Sequence, residues 1–183
     1  MARIVCSLSG EGRGHATRIA ALVEHLRREH DIVLLASHVA YDLLAPIYRG
    51  MGRVTLRRIP GLKFHYAGNR LSYTRSAAAA VPFLFRLTQH VQYVEQLLRE
   101  ERPDLAICDF EPLLPRCARR CGIPLVSFDH QHFLLVSDLS DLPWSLRWKA
   151  WLLRPSIRLC YGGAHRMIVS SFYFPPKRRR YRD

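Results

Sequence analysis

Residues 3–15 read Arg3-Ile4-Val5-Cys6-Ser7-Leu8-Ser9-Gly10-Glu11-Gly12-Arg13-Gly14-His15, and the succession of residue types in this stretch decides the fold. Arg3 to Leu8 is short, β-branched and apolar on both faces. A strand with a wet side alternates; one without alternation lies between two layers of helices, as in a parallel sheet. Glycine then recurs at Gly10, Gly12 and Gly14, where a chain turns tightly or brings its backbone against something else. From Ala16 to Glu29, Ile19, Leu22, Val23 and Leu26 return at helical spacing and leave Arg18, Arg27 and Arg28 to face water. Asp31 to Ser37 is a second buried strand. Strand, glycine turn, helix and strand together make a βαβ unit with a right-handed crossover.

The alternation continues outward from this unit. A helix is expected over Ala40 to Tyr48, a strand over Val54 to Ile59, and a loop rich in Gly, Asn, Ser and Tyr from Pro60 to Arg75. That loop is long enough to be functional or mobile. A long helix from Val81 to Glu101 stops at Pro103-Asp104, and a strand at Leu105 to Cys108, a helix at Leu113 to Cys121 and a strand at Pro124 to Phe128 follow. One or two helices between Pro143 and Tyr161, broken at Pro155, and a strand at Arg166 to Ser170 complete the order. The expected fold is α/β: a Rossmann-like, doubly wound, mostly parallel sheet with helices on both faces. It fills residues 1–175, and residues 176–183 read as a basic tail or the start of an interdomain linker.

Composition agrees with a single domain, since 183 residues that are 49% apolar can bury one core and leave little room for two. Five cysteines, an odd number, lie in apolar strands or on helices, and Met1-Ala2-Arg3 leads straight into a strand with no signal peptide, which points to a reducing cytosol. Cys117 and Cys121 are four apart, but their neighbours Arg116, Arg119 and Arg120 ligate nothing, so no metal is expected. No apolar run approaches the roughly 20 residues that span a bilayer. The formal charge of +13, concentrated toward the C-terminus, favours an anionic partner. Nucleic acid is disfavoured by the absence of a reader motif. Trp144, Trp148 and Trp151 share a helix face beside Arg147, Lys149 and Arg154. They read first as packing on the sheet or on a second domain, and second as a helix lying on an anionic membrane surface.

The glycine loop excludes two common sites. Its G-x-G-x-G spacing is not the G-x-G-x-x-G of dinucleotide folds, and no acidic residue ends the second strand where a ribose partner belongs. It also lacks the lysine of a phosphate-binding P-loop. What remains is a tight turn that presents backbone N–H groups and a helix N-terminus, with His15 in the first helical turn. The partial positive charge there favours neutral imidazole, the form that accepts a proton from a hydroxyl. Asp109 ends a strand whose C-terminal end converges on the same crevice and so can approach His15. Asp109 or Glu111 can instead cap the following helix.

Ser9-Gly10-Glu11-Gly12-Arg13-Gly14-His15-Ala16 resembles the first glycine loop of GT-B glycosyltransferases, especially the family 28 lipid-linked N-acetylglucosaminyltransferases of bacteria and their relatives. Arg102-Pro103-Asp104-Leu105-Ala106-Ile107-Cys108-Asp109 is similar to their Pro-Asp-plus-strand segment. Cys121-Gly122-Ile123-Pro124-Leu125-Val126-Ser127-Phe128-Asp129-His130-Gln131 is similar to their Gly-Ile-Pro strand and the polar loop after it. The resemblance implies the N-terminal, acceptor-side domain, with His15 as general base on an acceptor hydroxyl and Asp109 as its partner. It places Gly10, Glu11, Gly12, Arg13, Gly14, Glu111, Asp129, His130 and Gln131 against substrate. It implies no cofactor and no metal, His130 and His132 lacking a third ligand. The co-substrate would be a nucleotide sugar, UDP-linked in the first instance, held by a C-terminal donor-binding domain or subunit outside this chain. A glycosyl acceptor, lipid-linked in the nearest relatives, and a cytoplasmic site at the membrane periphery complete the expectation. The alternatives are a non-catalytic membrane-recruiting subunit of a split glycosyltransferase and a half of a sugar-nucleotide epimerase.

Overall fold

A computed structural model describes residues 1–68, 70–160 and 163–181. Strands β1 (Arg3–Leu8), β2 (Asp31–Ala36), β3 (Val54–Arg58), β6 (Leu105–Asp109), β7 (Leu125–Asp129) and β8 (Arg166–Val169) form one sheet; β4 (Tyr66–Ala67) and β5 (Arg70–Leu71) form a small antiparallel hairpin apart from it. The sheet order is β3-β2-β1-β6-β7-β8, and every neighbouring pair is parallel. This is the doubly wound arrangement expected from the alternation. The strand order reverses between β1 and β6, so the loops leaving those two strands diverge and open a crevice at their C-terminal ends.

Successive strand residues face opposite layers, which is why both faces of the sheet are apolar. Val5, Val33, Leu35, Ala106 and Cys108 pack under α4 (Leu87–Glu101) and α5 (Leu113–Arg120). Ile4, Cys6, Leu8, Ile32 and Leu34 pack under α1 (Arg13–Leu26) and α2 (His38–Tyr48). All five cysteines are free thiols, and four of them are buried. Burial alone pushes the Cys6 thiol up to about 12, so it behaves as a small core residue and not as a nucleophile.

Four departures from the sequence expectation matter for the crevice. Helix α1 starts at Arg13, three residues before Ala16, so the glycine loop runs into the helix itself. The long helix over residues 81–101 is two helices, α3 (Tyr73–Phe85) and α4, meeting at Arg86. The two pack differently. Helix α4 lays Val91, Val94, Leu97 and Leu98 on the sheet, whereas α3 buries only Ser76 and Phe83 and turns over the crevice. Helix α6 (Phe133–Val136) is a single turn. Helix α7 (Trp144–Leu159) runs through Pro155 without a break. The ring removes the bond to Trp151 O, but Trp151 lies on the exposed side of the helix, where water can take the carbonyl. Among the described residues no helix is long and apolar enough to cross a membrane.

Candidate active site

The crevice is pinned by three loops that meet at Ser37. A Cβ on Gly10 would lie 2.1 Å from Ser37 Oγ, and one on Gly61 would lie 2.0 Å from it, so only glycine allows the turns after β1 and β3 to close on the turn after β2. Gly10 O also accepts from Ala40 N–H at 3.1 Å, and Ser9 N–H donates to Asp109 O at 2.9 Å. Gly12 then takes φ +85°, a left-handed conformation that favours glycine, and starts α1 with no side-chain cap. The first N–H groups of α1 therefore point out of the loop unclaimed by any cap.

His15 lies in this first turn, and its Nδ1 is 2.8 Å from Asp109 Oδ1. The Asp109 side chain is fully buried, and Arg18 grips it with two bonds, Nε to Oδ2 at 3.0 Å and Nη2 to Oδ1 at 2.7 Å. An ionised carboxylate only accepts, so Nδ1 carries the imidazole proton and donates it to Asp109. Arg18 Nη2 also comes within 3.2 Å of Nδ1, a contact and not a second bond while that nitrogen is protonated. The tautomer so selected leaves the lone pair on Nε2, which accepts from the Gln131 side-chain amide at 3.1 Å. Gln131 Oε1 is buried and has no partner among the described residues. Rotation of that amide would let Oε1 accept from an imidazolium, so Gln131 can serve His15 in both protonation states.

Beyond Nε2 opens a cleft of about 400 Å³ between the loop after β3, α3, α6 and α7. Leu62, Phe64, Ala80, Leu84, Leu153 and Ile157 make most of its wall apolar, and Glu11, His15 and Gln131 supply polar groups at one end. Phe110 joins the two parts: it follows Asp109 at φ +55° and stacks on the His15 ring with centroids 6.2 Å apart. A bulky residue in the left-handed region is a strained choice, and here it places an aromatic face beside the histidine.

The sequence profile of the family described as "Glycosyl transferase family 1" matches residues 2–183. The chain belongs to this family. No curated protein matches it significantly. Among solved structures it resembles UGT89C1 of Arabidopsis thaliana complexed with UDP-L-rhamnose, with a TM-score of 0.59 and 13% identity over 94% of this chain and 45% of that one. It also resembles UGT2 of Phytolacca americana complexed with UDP-2fluoro-glucose and pterostilbene, at TM-score 0.57 and 17% identity over 94% and 48%. MurG of Acinetobacter baumannii gives TM-score 0.51 and 14% identity over 70% and 35%. The chain thus spans less than half the length of these structures, and the likeness shows the fold.

Within this family 1 chain the predicted site residues separate into three groups. His15, Asp109, Gln131 and Glu11 meet at the crevice, with Gly10, Gly12 and Gly14 shaping the loop beneath them and Arg13 exposed at its rim. Glu111 belongs to the scaffold, where its carboxylate caps α5 by accepting from Leu113 N–H and Leu114 N–H at 2.8 Å each. Burial pushes its pKa up to about 7 despite those two bonds. Asp129 and His130 turn away from the cleft. Asp129 is buried with His132, which bonds it through both Nδ1 and the backbone N–H, and with Ser127 Oγ at 3.0 Å. Burial opposes ionisation of Asp129, but the His132 and Ser127 bonds together outweigh it and lower its pKa. His130 Nδ1 bonds Ser170 O at 2.5 Å and its ring stacks on Phe133, so it fastens the loop to the end of β8.

Sequence reasoning missed Arg18, assigned there to the wet face of α1, and it missed Phe110. Arg18 is three residues after His15 and therefore on the same helix face, which was the available signal. Nothing local marks Phe110. Among the described residues no three His, Cys, Asp or Glu side chains converge as metal ligands.

Proposed function

We propose that this chain is the acceptor-binding half of a nucleotide-sugar-dependent glycosyltransferase and that His15 is its general base. The observation that carries the reading is the His15–Asp109 bond at the mouth of an apolar cleft, with the Nε2 lone pair turned toward the cleft. An acceptor hydroxyl that displaces the Gln131 amide meets that lone pair. As the hydroxyl oxygen attacks the anomeric carbon of the donor sugar, its proton passes to Nε2 and the nucleotide diphosphate leaves with the bonding pair. Asp109 holds the tautomer and stabilises the imidazolium, and Arg18 holds the Asp109 carboxylate in place with two bonds.

The donor is proposed to be a UDP-sugar, because two of the similar structures hold UDP-sugar ligands. Its main site belongs to a second domain or subunit, since the chain spans only 35–48% of those structures. The uncapped N-terminus of α1 supports an approach of the diphosphate from that side. The apolar wall of the cleft supports an acceptor with a substantial hydrophobic part. In enzyme that joins this chain to its donor side, His15→Ala lowers kcat by about 100-fold or more with an unchanged melting temperature. Turnover near the wild-type rate would overturn the assignment.

A further inference from the structure

The three tryptophans, all on α7, are not packed on the sheet. Trp144, Trp148 and Trp151 are 75%, 48% and 53% exposed, and they stack on one another, Trp144 on Trp148 at 6.3 Å and Trp148 on Trp151 at 4.8 Å between centroids. They form one wall of an open groove of about 590 Å³. The C-terminal segment forms the other wall, drawn in by Asp138 N–H to Pro176 O at 2.7 Å, Arg178 N–H to Val136 O at 2.8 Å, and a bridge between Ser137 and Lys177. The segment from Pro176 to Tyr181 is thus docked on the chain between α6 and α7.

Charge in this groove is one-sided. Among the described residues Arg147, Arg154, Lys177, Arg178 and Arg179 line it, against the single carboxylate of Asp138. Asp138 is held ionised chiefly by Ser140, with Arg178 and Arg147 adding to the effect. Leu146 and Leu152 are also exposed on α7, at 46% and 53%. With Trp148 flanked by the other two rings, the stack presents indole edges to the groove. Apolar edges with polar N–H tips, interleaved with arginines, match the boundary between lipid headgroups and acyl chains.

We infer that the groove along α7 is a docking surface for an anionic phospholipid membrane. Charge complementarity chooses the occupant: a surface of phosphate esters offers acceptors to the exposed Arg147 and Arg179, and the indole edges enter the headgroup layer. The same helix continues into the cleft, where Leu153, Ser156 and Ile157 line the wall near His15. Docking through its first half would hold the cleft against the bilayer, where an acceptor with an apolar anchor resides. The docking itself does not depend on the catalytic reading; this consequence does.

All three tryptophans of the chain lie on α7, so tryptophan emission reports on this surface alone. Wild-type protein is mixed with vesicles of phosphatidylglycerol and phosphatidylcholine, and in parallel with phosphatidylcholine alone. The expected result is a blue shift of emission with the anionic vesicles only, reversed at high salt, and quenching by lipids labelled at shallow depth. Arg147→Gln with Arg179→Gln, both exposed, should weaken vesicle binding by roughly 30-fold, at the usual worth of a basic residue near an anionic surface. His15→Ala should leave binding unchanged, which separates failure of docking from failure of the catalytic reading. No emission shift, or sedimentation with vesicles without shallow quenching, would overturn the proposal, the latter by moving the contact to another basic face. An emission shift produced by the donor-side half and not by vesicles would assign the groove to a protein interface and overturn it equally.

Discussion

Two neighbouring strands of this sheet end in aspartate, and each aspartate holds a histidine, yet the two pairs do opposite things. Asp109 at the end of β6 bonds His15, which arrives from α1 across the strand-order reversal and keeps Nε2 toward the cleft. Asp129 at the end of β7 bonds His132, three residues on in its own loop, and both side chains are sealed from solvent. A carboxylate, an imidazole and a strand end are therefore not enough to put a ring at the crevice. What differs is where the histidine comes from. A partner from another element can stand between the carboxylate and a crevice, whereas a local partner is folded under with its aspartate.

Removing each histidine in turn puts the two pairs under the most severe test. His15→Ala should abolish most turnover, by about 100-fold or more, with little change in melting temperature, since its ring lies at the edge of a cleft. His132→Ala should do the reverse. Leaving Asp129 buried without its imidazole and opening a cavity should cost about 3 kcal/mol, a fall of roughly 6–12 °C in Tm for a chain of this size. Activity per folded molecule should stay within a few-fold. A His132 variant with normal Tm and lost turnover would mean that the buried pair, and not the open one, carries the chemistry.

How much of the molecule is readable from residues alone follows the same division. The βαβ unit, the parallel sheet and the meeting of His15 with Asp109 are legible because they rest on uninterrupted apolar strands and on the rule that ligand crevices open where strand order reverses. The direction of side chains in the loop after β7 is not. Asp129, His130 and Gln131 are consecutive, and one is buried, one fastens β8 and one reaches His15, a choice made by packing and not by residue type. Arg18 escapes a reading by residue type because a charged residue on a helix defaults to water, and only the buried Asp109 across the crevice turns it inward. The cleft wall is also out of reach, since it is assembled from α3 and α7, far apart in sequence.

A weaker contrast separates Asp129 from Glu111 in their response to pH. Burial and the α5 cap leave Glu111 with a pKa of about 7 against an ordinary 4.5, so folding takes up a proton there. Its contribution is full below about 4.5 and is lost as pH rises through 7. Asp129 is shifted the other way, and its contribution is present above 3.8 and lost as pH falls below it. From pH 6 to pH 8 the Glu111 effect alone should cost on the order of 1 kcal/mol. Melting curves of wild type and Glu111→Gln across that range should therefore differ in slope, with the variant nearly flat. Parallel curves would show that Glu111 does not titrate between pH 6 and pH 8.

The smallest effect concerns two glycines of one loop. Gly10 is glycine because Ser37 leaves no room for a Cβ, so Gly10→Ala should simply destabilise. Gly14 has no such reason: it sits inside α1 at a negative φ, and a Cβ there would meet nothing within 4 Å. Alanine is the better helix former by about 1 kcal/mol, so Gly14→Ala should raise Tm by a few degrees. A residue that costs stability and fills no steric need is best explained by a ligand that must come close to the backbone. Gly14→Ala should then raise KM for the donor several-fold in the complete enzyme while it stabilises this chain. If Tm rises and KM is unchanged, the open space above Gly14 is empty during turnover and the diphosphate approaches elsewhere.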